Sequence, residues 1–411
     1  MKLPSSRAEC ELCDARDPLA RIRCEFRLES GVIYLDGNSL GALTHDSLGR
    51  VRSMIEEEWG HGLIRSWNMH GWFDLPQRLG AKIAPLIGAA ADEVLVADST
   101  SVNLFKLASA AMMKRGPRRR IVTESGNFPT DIYVLQGLAA LSDGAIEIVA
   151  VPRSEVVGQI DASTFLVVLT HVHYKTAELF DLAAVTERAH AQGAHILWDL
   201  SHSVGALEVD LHAARADFAI GCTYKYLNGG PGSPAFLYVR RDLQEAMRPG
   251  LAAWMGHAAP FDFTEDFDPA PGMARHRSGT PSVLAFAALE GALGIWDEIK
   301  LSEVRRKSES LSELFIARVE SLAGSGLTLA SPRAPECRGS HVALTHPRGY
   351  ELMQALIARG VIGDFRAPDV VRFGFAPLFL RYTDIWDAVT ILGEVLATLD
   401  HADAMPRSAV T

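Results

Sequence analysis

A lysine stands in the middle of the chain at a point where packing alone does not explain it. Lys225 follows the mostly apolar, strand-like run 218–223 and precedes a turn that contains Gly229, Gly230 and Gly232. A lysine amine in such a place can form a Schiff base with an aldehyde, because burial and nearby cations lower its pKa and make it nucleophilic. Lys225 is therefore the first candidate for a catalytic residue.

Polar side chains also follow four other strand-like runs, near the point where each run ends. They are Asp98-Ser99-Thr100-Ser101, Phe128-Pro129-Thr130-Asp131, Thr170-His171-Val172-His173 and Asp199-Leu200-Ser201-His202. Ligands of parallel α/β sheets bind at the carboxyl ends of the strands. We therefore expect these four segments and Lys225 to share one rim of a single sheet.

This set of residues could bind pyridoxal 5′-phosphate. A helix N-terminus with hydroxyl groups, here Thr100 and Ser101, favours a phosphate. A buried carboxylate such as Asp199 pairs with the protonated pyridine nitrogen and keeps the ring an electron sink, and Phe128 offers an aromatic face. We therefore predict a pyridoxal-phosphate site with Lys225 as the Schiff-base lysine and without a metal ion.

Each of these residues has another interpretation when it is taken alone. The segment that begins at Asp98 could simply cap a helix, and Asp199 could be a turn residue. His202 could be a histidine of the core, and Lys225 could extend along the surface to solvent. The chemical interpretation is favoured because all of them are expected on one rim of one sheet.

The order of Asp199, His202 and Lys225 resembles that of the aspartate-aminotransferase-like, or fold type I, pyridoxal-phosphate enzymes. Over about residues 30 to 400, an ordered set of motifs narrows the resemblance to the kynureninase family. The motifs are YLDGNSLG from Tyr34, STSVNLFK from Ser99, NFPTD from Asn127, LTHVHYKT from Leu169, WDLSHSVGA from Trp198, TYKYLNGGPGSPAFLYV from Thr223, RSGTPSV from Arg277 and RFGFAPLFLRYTDIWDAV from Arg372.

The resemblance implies a role for each matching residue. The implied catalytic residues are Lys225, Tyr224 and Asp199. The implied cofactor-binding residues, which surround the phosphate and the ring, are Thr100, Ser101, Phe128, Pro129, Thr130, Asp131, Thr170, Asp199, His202, Tyr224, Lys225, Trp254 and Thr280. Among these, Trp254 and Thr280 are implied to come from the neighbouring subunit of a homodimer with shared active sites.

The substrate residues are likewise implied by the resemblance. Arg372 is implied to hold the α-carboxylate of the substrate, a task that suits the planar guanidinium fork. His61 and Trp72 are implied to frame the aryl ring. The implied reaction is hydrolytic Cβ–Cγ cleavage of L-kynurenine, or of 3-hydroxy-L-kynurenine, to anthranilate or 3-hydroxyanthranilate and L-alanine, in tryptophan catabolism or NAD biosynthesis.

Three other functions share part of this pattern. A cysteine desulfurase needs a thiol on a mobile loop, for which Cys337 is the candidate, but Cys337 lacks a small-residue context. An aminotransferase would keep Lys225 and Asp199 but has no need for the other motifs. A non-enzymatic pyridoxal-phosphate-binding regulator would carry a basic DNA-binding segment, which this chain lacks. We therefore favour kynurenine cleavage.

The elements that must position these residues alternate in type. Strand-like and helical stretches follow one another from residue 93 to 239, and the strands show no alternation of apolar and polar residues. This pattern predicts an α/β fold with a mainly parallel sheet covered on both faces, and the resemblance to the fold type I enzymes implies that the sheet has seven strands. We predict an irregular N-terminal segment 1–50 packed across both domains, a large cofactor-binding domain 51–280, and a small α+β C-terminal domain 281–411 whose last helix is capped by Thr383-Asp384.

The composition of the chain indicates which partners and which cellular compartment to expect. The 411 residues carry a net charge of −10, which argues against a nucleic-acid partner. There is no apolar run of membrane-spanning length and no signal-peptide core. The five cysteines form neither a disulfide framework nor a paired zinc motif. We therefore expect a cytoplasmic enzyme of a small molecule, without a nucleic-acid or membrane partner.

Overall fold

Thirteen strands lie in the part of the chain that the computed structural model describes, residues 3–322 and 324–399. They are β1 Ile33–Tyr34, β2 Val94–Val96, β3 Arg120–Glu124, β4 Glu147–Val151, β5 Thr164–Thr170, β6 His195–Asp199, β7 Phe218–Gly221, β8 Phe236–Val239, β9 Thr328–Leu329, β10 His341–Thr345, β11 Val361–Ile362, β12 Asp364–Arg366 and β13 Val370–Gly374.

The same described residues form thirteen α-helices. They are α1 Arg7–Arg16, α2 His45–Ser53, α3 Ser66–Met69, α4 Leu75–Ile83, α5 Thr100–Met113, α6 Pro129–Leu141, α7 Val156–Gln159, α8 Leu182–Ala191, α9 Arg241–Gln244, α10 Val283–Leu293, α11 Leu301–Glu320, α12 Gly349–Ala358 and α13 Tyr382–Leu399. No helix among them is long and apolar enough to cross a membrane.

A seven-stranded sheet in the order β2-β8-β7-β6-β5-β3-β4 forms the centre of the molecule. The strands from β3 to β7 pair in parallel, whereas β8 runs antiparallel to both of its neighbours, β2 and β7. The prediction of an α/β fold with a mainly parallel seven-stranded sheet is confirmed.

Both faces of this sheet are covered by apolar side chains. Every residue of β5 is buried, and successive residues alternate between two hydrophobic clusters: Val167 and Leu169 belong to one, Leu166 and Val168 to the other. Because neither face meets solvent, both faces need apolar residues, which is why the strands show no alternation in the sequence.

A second, four-stranded sheet of order β12-β13-β10-β9 lies in the C-terminal part of the chain. The sequence predicts a single strand over 361–365, but the structure divides it into β11 and β12. Gly363 lies between them, and a Cβ atom there would come within 2.7 Å of the Arg372 carbonyl oxygen. The close approach of β13 therefore requires glycine, and β11 pairs with β1 instead.

The N-terminal segment is predicted to be irregular, but this prediction is wrong because the segment contains α1, β1 and the start of α2. Strand β1 pairs in parallel with β11, so this segment lies against the C-terminal part of the chain. Helix α1 also supplies the cap of the last helix: the Tyr382 and Thr383 amides donate to the carboxylate of Asp14, at 2.6 and 3.2 Å. A carboxylate there satisfies amide groups that have no partner within the helix.

The predicted local cap of α13 is thus replaced in part by a distant one. Thr383 lies inside the helix and donates its hydroxyl to Asp14, while Asp384 accepts from the Arg381 amide.

The helix predicted over 301–323 ends at Glu320. Residues 1, 2, 323 and 400–411 of the predicted segments lie outside the described residues, and the division into domains stays a prediction.

Candidate active site

A cavity of about 510 Å³ opens at the carboxyl ends of the central strands. Most of the residues predicted for the site share it. The predicted residues that line it are Thr100, Ser101, Phe128, Thr130, Asp131, Thr170, Asp199, His202, Tyr224, Lys225 and Thr280. The expectation that the strand-end segments meet at one rim therefore agrees with the geometry.

The Lys225 amine lies beside a buried histidine. Its Nζ is 2.9 Å from Nε2 of His202, which is 3% exposed. Burial, and then the charge of Lys225, hold the pKa of His202 well below its usual value. The ring is therefore neutral, and its Nε2 accepts a hydrogen bond from the lysine amine.

The N-terminal segment helps to fix the position of Lys225. The Gly41 amide donates to the Tyr224 carbonyl at 2.7 Å. A Cβ atom on Gly41 would collide with the Lys225 carbonyl oxygen. This approach explains why a glycine ends the motif that begins at Tyr34.

Two buried carboxyl groups face the same cavity. Asp199 accepts from the Ser201 amide at 2.7 Å, and Asp131 accepts from Asn127 and Thr170 at 3.2 Å each. Burial raises the pKa of Asp199. Burial, and then the neighbouring Asp199, raise the pKa of Asp131 well above its usual value. A cationic N–H group in the cavity would stabilise the ionised form of both.

The anion-binding end of the cavity is the N-terminus of α5. Ser99 caps this helix by accepting from the Val102 amide at 3.4 Å. The amides and hydroxyls of Thr100 and Ser101 lie in the first turn, where backbone N–H groups have no partner within the helix. Together with the helix dipole, these donors favour a phosphate.

Aromatic side chains form another part of the wall. Phe128 is 47% exposed and meets the Tyr174 ring edge-on, with 5.3 Å between the ring centroids. The Tyr224 phenol has a raised pKa, caused first by the Cys222 thiol and then by burial. Tyr224 therefore keeps its proton and acts as a hydrogen-bond donor.

Pyridoxal phosphate fits this set of residues. Oδ1 of Asp131 is buried without a hydrogen-bond partner, and the pair Asp131 and Asp199 calls for a cation such as a pyridinium N–H. The first turn of α5 offers free donors for the phosphate, and Lys225 offers an amine for the aldehyde. The donor set thus matches both ends of the cofactor.

Five predicted residues lie outside the lining of this cavity: Pro129, Trp254, His61, Trp72 and Arg372. His61 is largely exposed and pairs with Glu57 at 3.1 Å, whereas the Trp72 indole donates to Glu58 at 2.5 Å. Trp254 is 41% exposed and packs against Phe261. Thr280, expected to serve the neighbouring subunit, lines the cavity of its own chain.

Arg372 is buried in an ion pair close to this cavity. Its Nε donates to Asp364 at 2.9 Å, and one Nη atom contacts the second oxygen of the same carboxylate and Ser39 Oγ, the latter at 2.9 Å. The other Nη atom donates to the carbonyl of Tyr174, a residue that lines the cavity. The fork is therefore engaged by Asp364.

Four further residues line the cavity: Asp98, Tyr174, Arg277 and Ser278. Asp98 is predicted only as the start of a rim segment, and the other three have no predicted role. Tyr174 follows the end of β5 within the motif LTHVHYKT, and Arg277 and Ser278 open the motif RSGTPSV. Their places in the sequence, next to predicted site residues, are the signal by which they could have been found. Cys337, the thiol that a desulfurase would need, lies outside the cavity lining.

Two solved structures illustrate the similarity of the fold. The cysteine desulfurase CsdA of Escherichia coli superposes with a TM-score of 0.78 and 17% identity, over 93% of this chain and 98% of that one. A C-DES mutant with glycine covalently linked to its pyridoxal-phosphate cofactor superposes with a TM-score of 0.78 and 18% identity, over 90% of this chain and 99% of that one. Both likenesses establish the fold.

Curated relatives and a family model establish the family. Residues 304–392 match the model described as the kynureninase C-terminal domain. The chain is 49% identical to a kynureninase of Pseudomonas fluorescens, covering 99% of this chain and all of the relative. It is also 49% identical to a kynureninase of Burkholderia mallei strain SAVP1 over 96% of each chain. On these matches, and with a cavity whose residues suit the cofactor, the chain belongs to the kynureninase family.

Proposed function

We propose that this chain is a pyridoxal-phosphate-dependent hydrolase that cleaves the Cβ–Cγ bond of L-kynurenine to give anthranilate and L-alanine. The observation that supports this most directly is the meeting of Lys225, His202, Asp199 and the first turn of α5 in one cavity, in a chain 49% identical to kynureninases over nearly its full length.

The residues divide into those that bind and those that move protons. Thr100 and Ser101 would bind the phosphate, Phe128 would cover the ring, and Asp199 would pair with the pyridine nitrogen. Lys225 would hold the aldehyde carbon. When it is bound, pyridoxal phosphate withdraws electrons from the Cα atom of an amino acid and so makes its proton acidic.

Once the substrate amine has displaced it from the aldehyde carbon, Lys225 is the group that would take and return this proton, at Nζ. His202 is neutral and accepts a hydrogen bond from Nζ, which orients the amine without adding a second positive charge to the cavity. A base must be within hydrogen-bond reach of the proton and deprotonated at the working pH. Tyr224 is the candidate acid for the later protonation, a role for which the raised pKa of its phenol would have to fall.

Arg372 is the candidate for the substrate α-carboxylate. A guanidinium fork is shaped for this group, and Asp364 and Ser39 fix the orientation of the fork. Because Asp364 occupies two of the donors, a substrate carboxylate would have to use the remaining donor of Nη1 or displace Asp364.

We also propose that the protein works as a homodimer in the cytoplasm. Trp254, Phe261 and Phe263 form an exposed aromatic group, 41%, 62% and 78% exposed, and such a surface suits burial by a second copy. Mixing an inactive Lys225→Ala protein with an impaired Trp254→Ala protein tests the sharing of sites. Subunit exchange that restores no activity would contradict it.

Incubation of the purified protein with pyridoxal phosphate and L-kynurenine tests the activity. Anthranilate fluorescence should rise together with L-alanine, and the Lys225→Ala protein is the control for background. In parallel, L-cysteine should yield no sulfide. Release of sulfide without anthranilate would replace the proposal with desulfurase chemistry.

A further inference from the structure

A buried lysine that the proposed reaction does not use lies behind the anion-binding end of the cavity. Lys106 stands in the second turn of α5, and its side chain is 0% exposed. Its amine forms an ion pair with Asp98 and donates to the His276 carbonyl at 2.6 Å. A fully buried ammonium group is costly, so its retention needs a reason beyond packing.

The partner of this lysine is a cavity residue. Asp98 lines the cavity and directly precedes Ser99, the cap of α5. Its backbone has φ of 47°, a left-handed conformation that non-glycine residues rarely adopt. Its carboxylate also accepts from Ser278 Oγ at 2.8 Å, which joins the helix end to the segment 276–278.

A carboxylate at this place opposes the binding of an anion. The proposed phosphate donors Thr100 and Ser101 are two and three residues from Asp98, and the side chain of Asp98 is only 26% exposed. All three residues line the same cavity, and neighbouring charges interact strongly where water is scarce. The ammonium of Lys106 compensates the charge of Asp98 from the side away from the cavity.

We propose that Lys106 is a positioning residue that sets the affinity of this site for a phosphate by neutralising Asp98. The inference rests on the proposed function, since it takes the phosphate of pyridoxal phosphate as the anion. Lys106 does not line the cavity and acts through Asp98, which does.

The test compares two ligands that differ only in the phosphate. The dissociation constants of pyridoxal 5′-phosphate and of pyridoxal are measured on the cofactor-free protein by quenching of tryptophan fluorescence, and their ratio reports the contribution of the phosphate. In Lys106→Met, this ratio should fall by about tenfold, because the carboxylate of Asp98 loses its counter-ion. A purely structural role would weaken both ligands alike and leave the ratio unchanged.

A second variant distinguishes an effect of the charge of Asp98 on phosphate binding from an effect of the substitution on folding. The double variant Asp98→Asn, Lys106→Met carries neither charge and should recover most of the ratio. The matched control is Lys307→Met, which removes another buried lysine that pairs with an aspartate, Asp17, and donates to a carbonyl, that of Pro377, at 2.6 Å. This control should lose stability without a change in the ratio.

The outcomes are distinguishable. A wild-type protein that binds pyridoxal phosphate no better than pyridoxal contradicts the proposed phosphate site itself. If Lys106→Met prefers pyridoxal phosphate over pyridoxal as strongly as the wild type does, the inference about Lys106 is overturned and the proposed phosphate site still stands. The inference is also overturned by a ratio that falls in Lys106→Met and stays low in the double variant, because neutralisation of Asp98 would then not be the cause.

Discussion

Replacement of Arg372 by lysine is expected to lower the free energy of unfolding by about 3 to 5 kcal/mol. Arg372 is 2% exposed and Asp364 is 1% exposed, so water does not replace their interaction. The guanidinium donates to both oxygens of Asp364, to Ser39 and to the Tyr174 carbonyl. A lysine ammonium lacks the planar fork and loses at least two of these bonds, at about 1.5 to 3 kcal/mol for each hydrogen bond to a charged group.

Urea unfolding of the cofactor-free protein measures this loss, because bound cofactor would add its own stabilisation. Arg381→Lys is the matched control. Arg381 binds Asp384 through Nε and Nη2 as Arg372 binds Asp364, but its side chain is 50% exposed. Although Asp384 is buried, water screens the half-exposed guanidinium of Arg381, and a pair screened in this way contributes about 0 to 1 kcal/mol, so the control should change little.

The KM for L-kynurenine is measured on the same Arg372→Lys protein. If Arg372 also holds the substrate α-carboxylate, KM should rise while the absorbance of the bound cofactor stays the same. An unfolding free energy equal to that of the wild type would refute the argument from the buried ion pair. A destabilised protein with normal KM would remove Arg372 from the substrate site.

Three further predictions concern the cavity and its surroundings. Borohydride reduction of the cofactor-loaded protein should attach the cofactor to the peptide that contains Lys225, as mass spectrometry would show, and attachment to another lysine would contradict the assignment. Asp199→Ala should lose turnover by several orders of magnitude with an unchanged circular dichroism spectrum, whereas near-normal turnover would make Asp199 a turn residue. Burial, and then Lys106, lower the pKa of His276 to about 3. Because this value lies below the unfolded pKa of about 6.5, stability is lost as the pH falls below 6.5, and His276→Gln should remove about 2 kcal/mol of the loss between pH 7 and pH 5. If the wild type and His276→Gln show the same pH dependence of urea unfolding, a lowered pKa of His276 is not the cause of the loss of stability.

Strands that are buried on both faces were predicted most accurately from the sequence. The sequence predicts strands over 164–170 and 195–199, and these bounds agree with β5 and β6, because continuous apolar runs flanked by polar residues mark both ends. The site followed from the same signal, since its residues come directly after such strands.

Features that depend on distant partners could not be predicted. The division of 361–365 into β11 and β12 depends on β1, more than 300 residues earlier. The burial of Arg372 against Asp364 depends on how three strands pack. Neither leaves a periodic pattern in the local sequence. Lys106 likewise reads as one polar residue of a helix until Asp98 and the segment 276–278 are brought against it.

The capping of α13 by Asp14 has a consequence for synthesis on the ribosome. The acceptor and its donors are 368 residues apart, and at about 5 to 20 residues per second the ribosome needs roughly 20 to 70 seconds to make the intervening chain. For most of that time α1 lacks α13 and β1 lacks β11, whereas the last strand of the central sheet, β8, is complete at Val239, long before α13 is made. The first part of the chain to be made is therefore among the last to dock.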